Sequence, residues 1–147
     1  MIRPAEHSDL VQLGRLGAAF HAEAGWPSEV AAFDPASFVE TAIQLYEHGV
    51  LLVAERAGRV VAMAGAAYGP VWFNRKITVG HEVFLYADPA HRDGLGVRLM
   101  LKLEDAARKA KARAMFASSI EGVGGGAAAM FPRLGYQPTE RAFAKVL

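Results

Sequence analysis

The segment His91-Arg92-Asp93-Gly94-Leu95-Gly96-Val97 sets two glycines one residue apart, immediately ahead of a run with helical apolar spacing. Glycine removes the side chain where a backbone must come close to something else. A helix start presents several amide N–H groups without partners inside the helix, aligned with the positive end of the macrodipole. Together these features form an anion site suited to a phosphate or diphosphate, with the main-chain N–H groups of Arg92, Asp93, Gly94, Leu95, Gly96 and Val97 converging on it. The same residues also fit a plain strand-to-helix turn that needs positive φ at Gly94. Two other phosphate loops are excluded. A Walker loop ends in Gly-Lys-Ser or Gly-Lys-Thr, where this chain has Val97-Arg98, and a dinucleotide fingerprint needs a third glycine where Leu99 stands.

Ahead of that turn, Glu82 lies among Val83, Phe84 and Leu85. Partial desolvation there raises a carboxyl pKa toward neutrality, the range a general base needs. The alternative is a charge at the exposed end of a strand. His81 is a second proton acceptor of opposite strand parity, so at most one of the two faces a substrate.

The elements that must position these groups follow from periodicity and punctuation. Ile2 to Pro4 reads as a short strand. Ser8-Asp9 caps a helix carrying Leu10, Leu13, Leu16 and Phe20, which Gly25-Trp26-Pro27 stops. Asp34-Pro35 starts a second helix with Phe38, Ala42, Leu45 and Tyr46 as its buried stripe, closed by Gly49. Val50–Glu55 and Arg59–Ala67 form a hairpin about Arg56-Ala57-Gly58. Val71 to Val79 fits a long hairpin arm, and His81 to Tyr86 is a strand. A helix from Val97 to about Ala112 buries Leu99, Leu103, Ala107 and Ala110, with Glu104–Arg108 and Asp105–Lys109 paired on its wet face. Ala114 to Ile120 reads as a strand, Gly126 to Leu134 as a helix, and Tyr136 to Leu147 as a closing strand or strand pair. This order predicts a mixed, mostly antiparallel α/β sheet covered by helices on both faces.

The 147 residues make a single domain, expected to span residues 1–147. An apolar share of 52% against 21% charged residues excludes intrinsic disorder. A net charge of +1 gives no basic field, so nucleic acid is not an expected partner. The chain has no cysteine, which excludes a disulfide framework, a thiolate metal centre and a cysteine nucleophile. No histidine pair stands at metal-binding helical spacing, so no metal is expected. The Val60–Phe73 run is too short and too rich in glycine and proline to span a bilayer, and no apolar signal region follows Met1. A soluble, cytoplasmic protein without a membrane partner is the expectation.

Residues 91–100, following a strand that ends in Asp88-Pro89, resemble the acetyl-coenzyme A pyrophosphate loop of the GNAT-type N-acetyltransferases, Arg/Gln-x-x-Gly-x-Gly/Ala. The Ile-Arg-Pro-Ala opening, the early hairpin, Phe131-Pro132-Arg133-Leu134-Gly135-Tyr136 and the closing Glu140–Leu147 are similar to the same family in the same order. The resemblance implies a GNAT-like fold, acetyl-CoA as donor and an N-acetyltransferase activity. It implies that backbone N–H groups at Leu85, Tyr86 and Ala87 meet the donor, and that Glu82 is the base. Three positions depart from the pattern. The family's Arg/Gln falls on His91, its tyrosine acid on Phe131, and an asparagine seven residues earlier on Gly124.

The expected reaction is acetyl transfer to a primary amine of a small-molecule acceptor by direct attack, since no cysteine exists to hold a covalent acetyl group. The loop bearing His21, Glu23, Trp26 and Phe33 and the Trp72–Lys76 stretch are expected to line the acceptor side, and Arg75-Lys76 equally fit a solvated turn. Phe131 and Gly124 favour the alternative of a catalytically weak or inactive acyl-CoA-binding module acting as a sensor or interaction protein. A homodimer is expected if the apolar Ala142–Leu147 strand needs a partner for its edge.

Overall fold

Alternating apolar residues in three consecutive segments, separated by tight turns, build the centre of the protein. The computed structural model describes residues 1–120 and 126–147. Its strands are β1 (Ile2–Pro4), β2 (Val50–Arg56), β3 (Arg59–Val71), β4 (Asn74–Ala87) and β5 (Met115–Phe116). They lie in sequence order in one sheet. The first four pair antiparallel, and β5 runs parallel to β4. The β2–β3 turn puts Ala57 at φ 49° and Gly58 at φ 75°, the two positive values that a twist-matched two-residue hairpin requires.

Helices α1 (Leu10–Ala24), a single turn α2 (Ser28–Ala31) and α3 (Pro35–His48) follow β1; α4 (Leu95–Lys109) and α5 (Ala127–Arg133) follow β4. Asp34 caps α3 as its sequence predicts, accepting the Ser37 N–H at 2.8 Å, with Pro35 as the first helical residue. One face of the sheet packs Val53, Met63, Phe84 and Tyr86 against Leu13 and Leu16 of α1 and Ala42 and Leu45 of α3. The other packs Leu52, Ala62, Ala64 and Ala66 against Leu99, Met100 and Leu103 of α4 and Met130 and Phe131 of α5. The small alanines on β3 let α4 approach the sheet closely.

Several expectations are corrected. Tyr46 is half exposed, its ring lying 4.9 Å from that of His7, because α3 is amphipathic over a narrower stripe than its sequence predicts. α4 ends at Lys109, so Ala110 caps it in solvent, and Asp105 pairs with Arg108 instead of Lys109. The strand expected over Ala114–Ile120 is reduced to Met115–Phe116, since the Ser118 N–H leaves the ladder for a side chain. Tyr136–Leu147 form no strand among the described residues. The β5 ladder stops after Phe116 and offers the tail no long edge; the Tyr136 N–H bonds back to Phe131 O at 3.0 Å, and Phe143 and Leu147 face solvent. The glycine run over 122–126 lies almost wholly outside the described residues, Gly124 included.

Candidate active site at the split between β4 and β5

A one-residue bulge organises β4. Gly65 of β3 pairs with Phe84 and Ala66 with Glu82, leaving Val83 as the extra residue. Strict alternation would place residues 82 and 84 on the same face. The bulge separates them: Phe84 turns into the α1/α3 layer, while Glu82, opposite Ala66, faces α4 and α5. His81 turns to the other face, exposed, with its ring stacked 5.1 Å from Phe116.

Glu82 is half-buried at the wall of a cleft of about 1380 Å³ that Glu104, Ser118, Phe131, Tyr136 and Trp26 also line. Burial raises its pKa to about 7, and the Ser118 N–H, donating at 3.2 Å, offsets part of that rise. Tyr136 donates its hydroxyl to Glu104 Oε1 at 3.2 Å. Burial and that neighbouring carboxylate push the phenol above its ordinary range.

β5 accompanies β4 only at Gly80 and His81. From Glu82 onward, no described strand pairs with that edge. The Asp88 N–H donates to Val61 O at 2.9 Å, which fixes the alternation: Tyr86 and Phe84 bond to β3, so the main-chain groups of Leu85 and Ala87 point into the split. Tyr86 is therefore not brought to the cleft. Its main chain is used by β3 and its ring is buried in the α1/α3 layer, with Phe20 5.6 Å away.

The strand edge leads directly to the glycine turn. Gly94 adopts φ 75°, and its N–H closes the turn on Arg92 O at 2.6 Å. The N–H groups of Leu95, Gly96 and Val97 then have no partner within α4, whose first main-chain bond from beyond them runs from Arg98 N to Gly94 O. Gly94 is exposed, and a Cβ built on it would meet nothing within 4 Å, so the turn opens to solvent. The Leu95 side chain is buried in the core, leaving only its N–H for a ligand. These donors and this space fit a diphosphate.

Two side chains of the turn are committed to protein partners. Arg92 donates from Nε to Ala87 O at 3.0 Å and from Nη2 to Glu23 Oε2 at 2.6 Å, and lies 5.5 Å over the Tyr86 ring. Asp93, a carboxylate beside an anion site, is neutralised by a bidentate pair with Arg56 Nη2 at 2.8 and 3.0 Å. Arg56 also reaches His91 Nδ1 at 3.4 Å. Sequence reasoning missed the structural parts of Arg56, Ser118 and Glu104. Glu104 carried a signal in its helical pairing with Arg108, while Arg56 and Ser118 are brought in only by the fold. Trp72 and Phe73 stand exposed at the β3–β4 hairpin tip, apart from the cleft lining.

The sequence pattern of the Acetyltransferase (GNAT) family matches residues 18–136. No curated protein matches the chain in sequence. Among solved structures, the fold is similar to a "predicted acetyltransferase with acetyl-CoA" from Clostridium acetobutylicum, at TM-score 0.79 and 16% identity, covering 99% of this chain and 94% of that one. It is similar to an aminoglycoside antibiotic 6'-N-acetyltransferase from Acinetobacter haemolyticus, at TM-score 0.74 and 24% identity over 100% and 99%. A ribosomal-protein-alanine N-acetyltransferase from Brucella melitensis superposes with TM-score 0.74 at 16% identity over 99% and 98%. The family match spans the α1–α3 face, the bulged β4, the glycine turn and α5, and on that ground this chain belongs to the acetyltransferase (GNAT) family.

Proposed function

We propose that the protein transfers an acetyl group from acetyl-CoA to a primary amine of a small-molecule acceptor, by direct attack of the amine. One observation carries the reading: the free edge of β4 at Leu85 and Ala87 runs without a break into the free N–H groups at the start of α4, and the Glu82 carboxylate stands where that edge opens. When bound, the coenzyme supplies an activated thioester carbonyl. The N–H groups of Leu95, Gly96 and Val97 hold its diphosphate. The N–H groups of Leu85 and Ala87 stabilise negative charge developing on a carbonyl oxygen in the split.

Glu82 acts as the base. A lysine-like amine, with a reference pKa of about 10.4, is protonated at neutral pH, and attack requires the free lone pair. A carboxyl at about 7 is half ionised there and takes the proton, directly or through water, as the C–N bond forms and the C–S bond breaks. The thiolate leaves unprotonated, since a thiol's reference pKa of about 8.5 makes it a tolerable leaving group. Phe131 can donate no proton, and its ring packs 5.4 Å from that of Tyr136.

That phenyl ring also favours a second reading, an acyl-CoA-binding module with little or no turnover. A screen of small amines that follows release of free thiol separates the two. Turnover with any amine supports the transferase. Calorimetric binding of acetyl-CoA without turnover across the panel supports the module.

A further inference from the structure

We infer that Glu23 and Arg92 are a pair of positioning residues that make donor affinity depend on the C-terminal turn of α1. The inference rests on the donor assignment proposed above. Glu23 lies in the last turn of α1, the helix layer on the opposite side of the sheet from α4. Its carboxylate nevertheless meets Arg92 Nη2 at 2.6 Å.

Residue 92 is held at both ends. Its carbonyl accepts the Gly94 N–H, which closes the turn, and its guanidinium is fixed to Ala87 O, to Glu23 and over the Tyr86 ring. A planar guanidinium can satisfy a carbonyl, a carboxylate and an aromatic face at once, and a lysine ammonium at that position cannot. The pair therefore does two things for the donor site. It occupies the Ala87 C=O, so that the N–H groups define the free edge of β4. It also holds residues 92–94, all exposed, in the one conformation that aims the α4 N–H groups outward. A site ordered before binding spares the ligand that ordering cost. The contact continues through Tyr86 to Phe20 at 5.6 Å and on to Trp26 at 6.0 Å, on the loop that follows α1.

The test is a double-mutant cycle on acetyl-CoA affinity, measured by calorimetry on the full chain. Glu23→Gln weakens binding by about tenfold, Arg92→Gln by at least as much, and the double variant is no weaker than Arg92→Gln alone, because the ion pair is already lost in that single variant. Arg92→Lys falls with them. Amide exchange at Gly94, whose N–H closes the turn on Arg92 O, accelerates in Glu23→Gln in the free protein while the middle of α4 stays protected, which a general loss of stability would not produce. The apparent melting temperature stays within about 3 °C of wild type, as a part-exposed ion pair dictates. Unchanged affinity in the single variants, additive losses in the double, or losses that track a large fall in melting temperature would overturn the inference. Failure of the wild type to bind acetyl-CoA would instead remove the donor assignment itself, and this inference with it.

Discussion

The main-chain N–H of Ser118 donates to Glu82 Oε2 at 3.2 Å, joining the chain just beyond β5 to the last residue before the β4 bulge. That bond stabilises the charged carboxylate, while burial, the larger effect, favours the neutral acid and sets the pKa at about 7. A base must be ionised to accept a proton, so kcat/KM rises with pH through about 7 and levels off above it. Glu82→Gln lowers the plateau by about 10²–10⁴ and removes that limb. Thiol release followed from about pH 5 to 9 on both proteins checks it.

The same shift predicts a stability change of opposite benefit. A carboxyl whose folded pKa lies above its unfolded value stabilises the fold when protonated, and that contribution is lost as pH rises from 4.5 to about 7. Above pH 7, Glu82→Gln is therefore more stable than wild type, by about 1–2 kcal/mol once partial solvation is allowed for. Denaturant titration near pH 8 reads the difference directly.

Gly94 combines φ 75° with open space around its α carbon. Gly94→Ala meets no clash and costs only the left-handed conformation, about 1–2 kcal/mol of stability. Gly94→Glu with Gly96→Glu adds two negative charges at the mouth of the anion site. Acetyl-CoA affinity falls at least about tenfold beyond the alanine variant. Calorimetry on both variants separates turn strain from charge.

Asp9 is buried and accepts three bonds: from Arg3 Nη1 at 2.7 Å, Arg3 Nη2 at 3.0 Å and the Glu6 N–H at 2.8 Å. The guanidinium, before any other influence, holds its carboxyl below the usual range. The contribution to stability is present above the unfolded pKa of 3.8 and is lost as pH falls through the depressed native value. Asp9→Asn costs about 2–3 kcal/mol at neutral pH, less than a fully buried pair because Glu55 still engages Arg3 at 2.8 Å. Urea denaturation at neutral and acidic pH shows the cost shrinking as the pH drops.

Tyr68 carries a buried hydroxyl with no hydrogen-bond partner among the described residues. An unsatisfied buried hydroxyl costs about 1–3 kcal/mol. Tyr68→Phe keeps the ring that lies beside Gly80 and removes the orphan oxygen, so its melting temperature rises by about 2–4 °C.

Much of this architecture was legible because local chemistry and packing agree in it. Asp34-Pro35, the Ala57-Gly58 turn, the Leu13/Leu16 stripe and the glycine turn each announce their element by residue type alone. For the proposed site, the strand that carries Glu82 and the positive φ at Gly94 were legible for the same reason. What sequence could not show depends on register and partners. Periodicity in Ala114–Ile120 and Ala142–Leu147 matches a strand, but a strand also requires an edge to pair with, and β5 supplies two residues of it. Arg92 was read for its main-chain N–H, and sequence alone carried no sign that the fold commits its side chain to Glu23, sixty-nine positions away. Tyr86 looked available, and the hydrogen-bond phase of β4 turned its main chain inward.

The extra residue at Val83 is one that this strand can lose without exchanging the side chain that reaches the cleft. Deleting Val83 would restore the simple pleat and leave everything on its upstream side facing as it does now, because residues 82 and 84, made adjacent, still point to opposite faces. Glu82 would stay opposite Ala66 and His81 on the other face, while the strand would lose the bend and added twist that the bulge gives it. Descendants of such a deletion would inherit the same carboxylate on a straighter strand, so the bulge shapes the opening of the sheet and does not choose its proton acceptor.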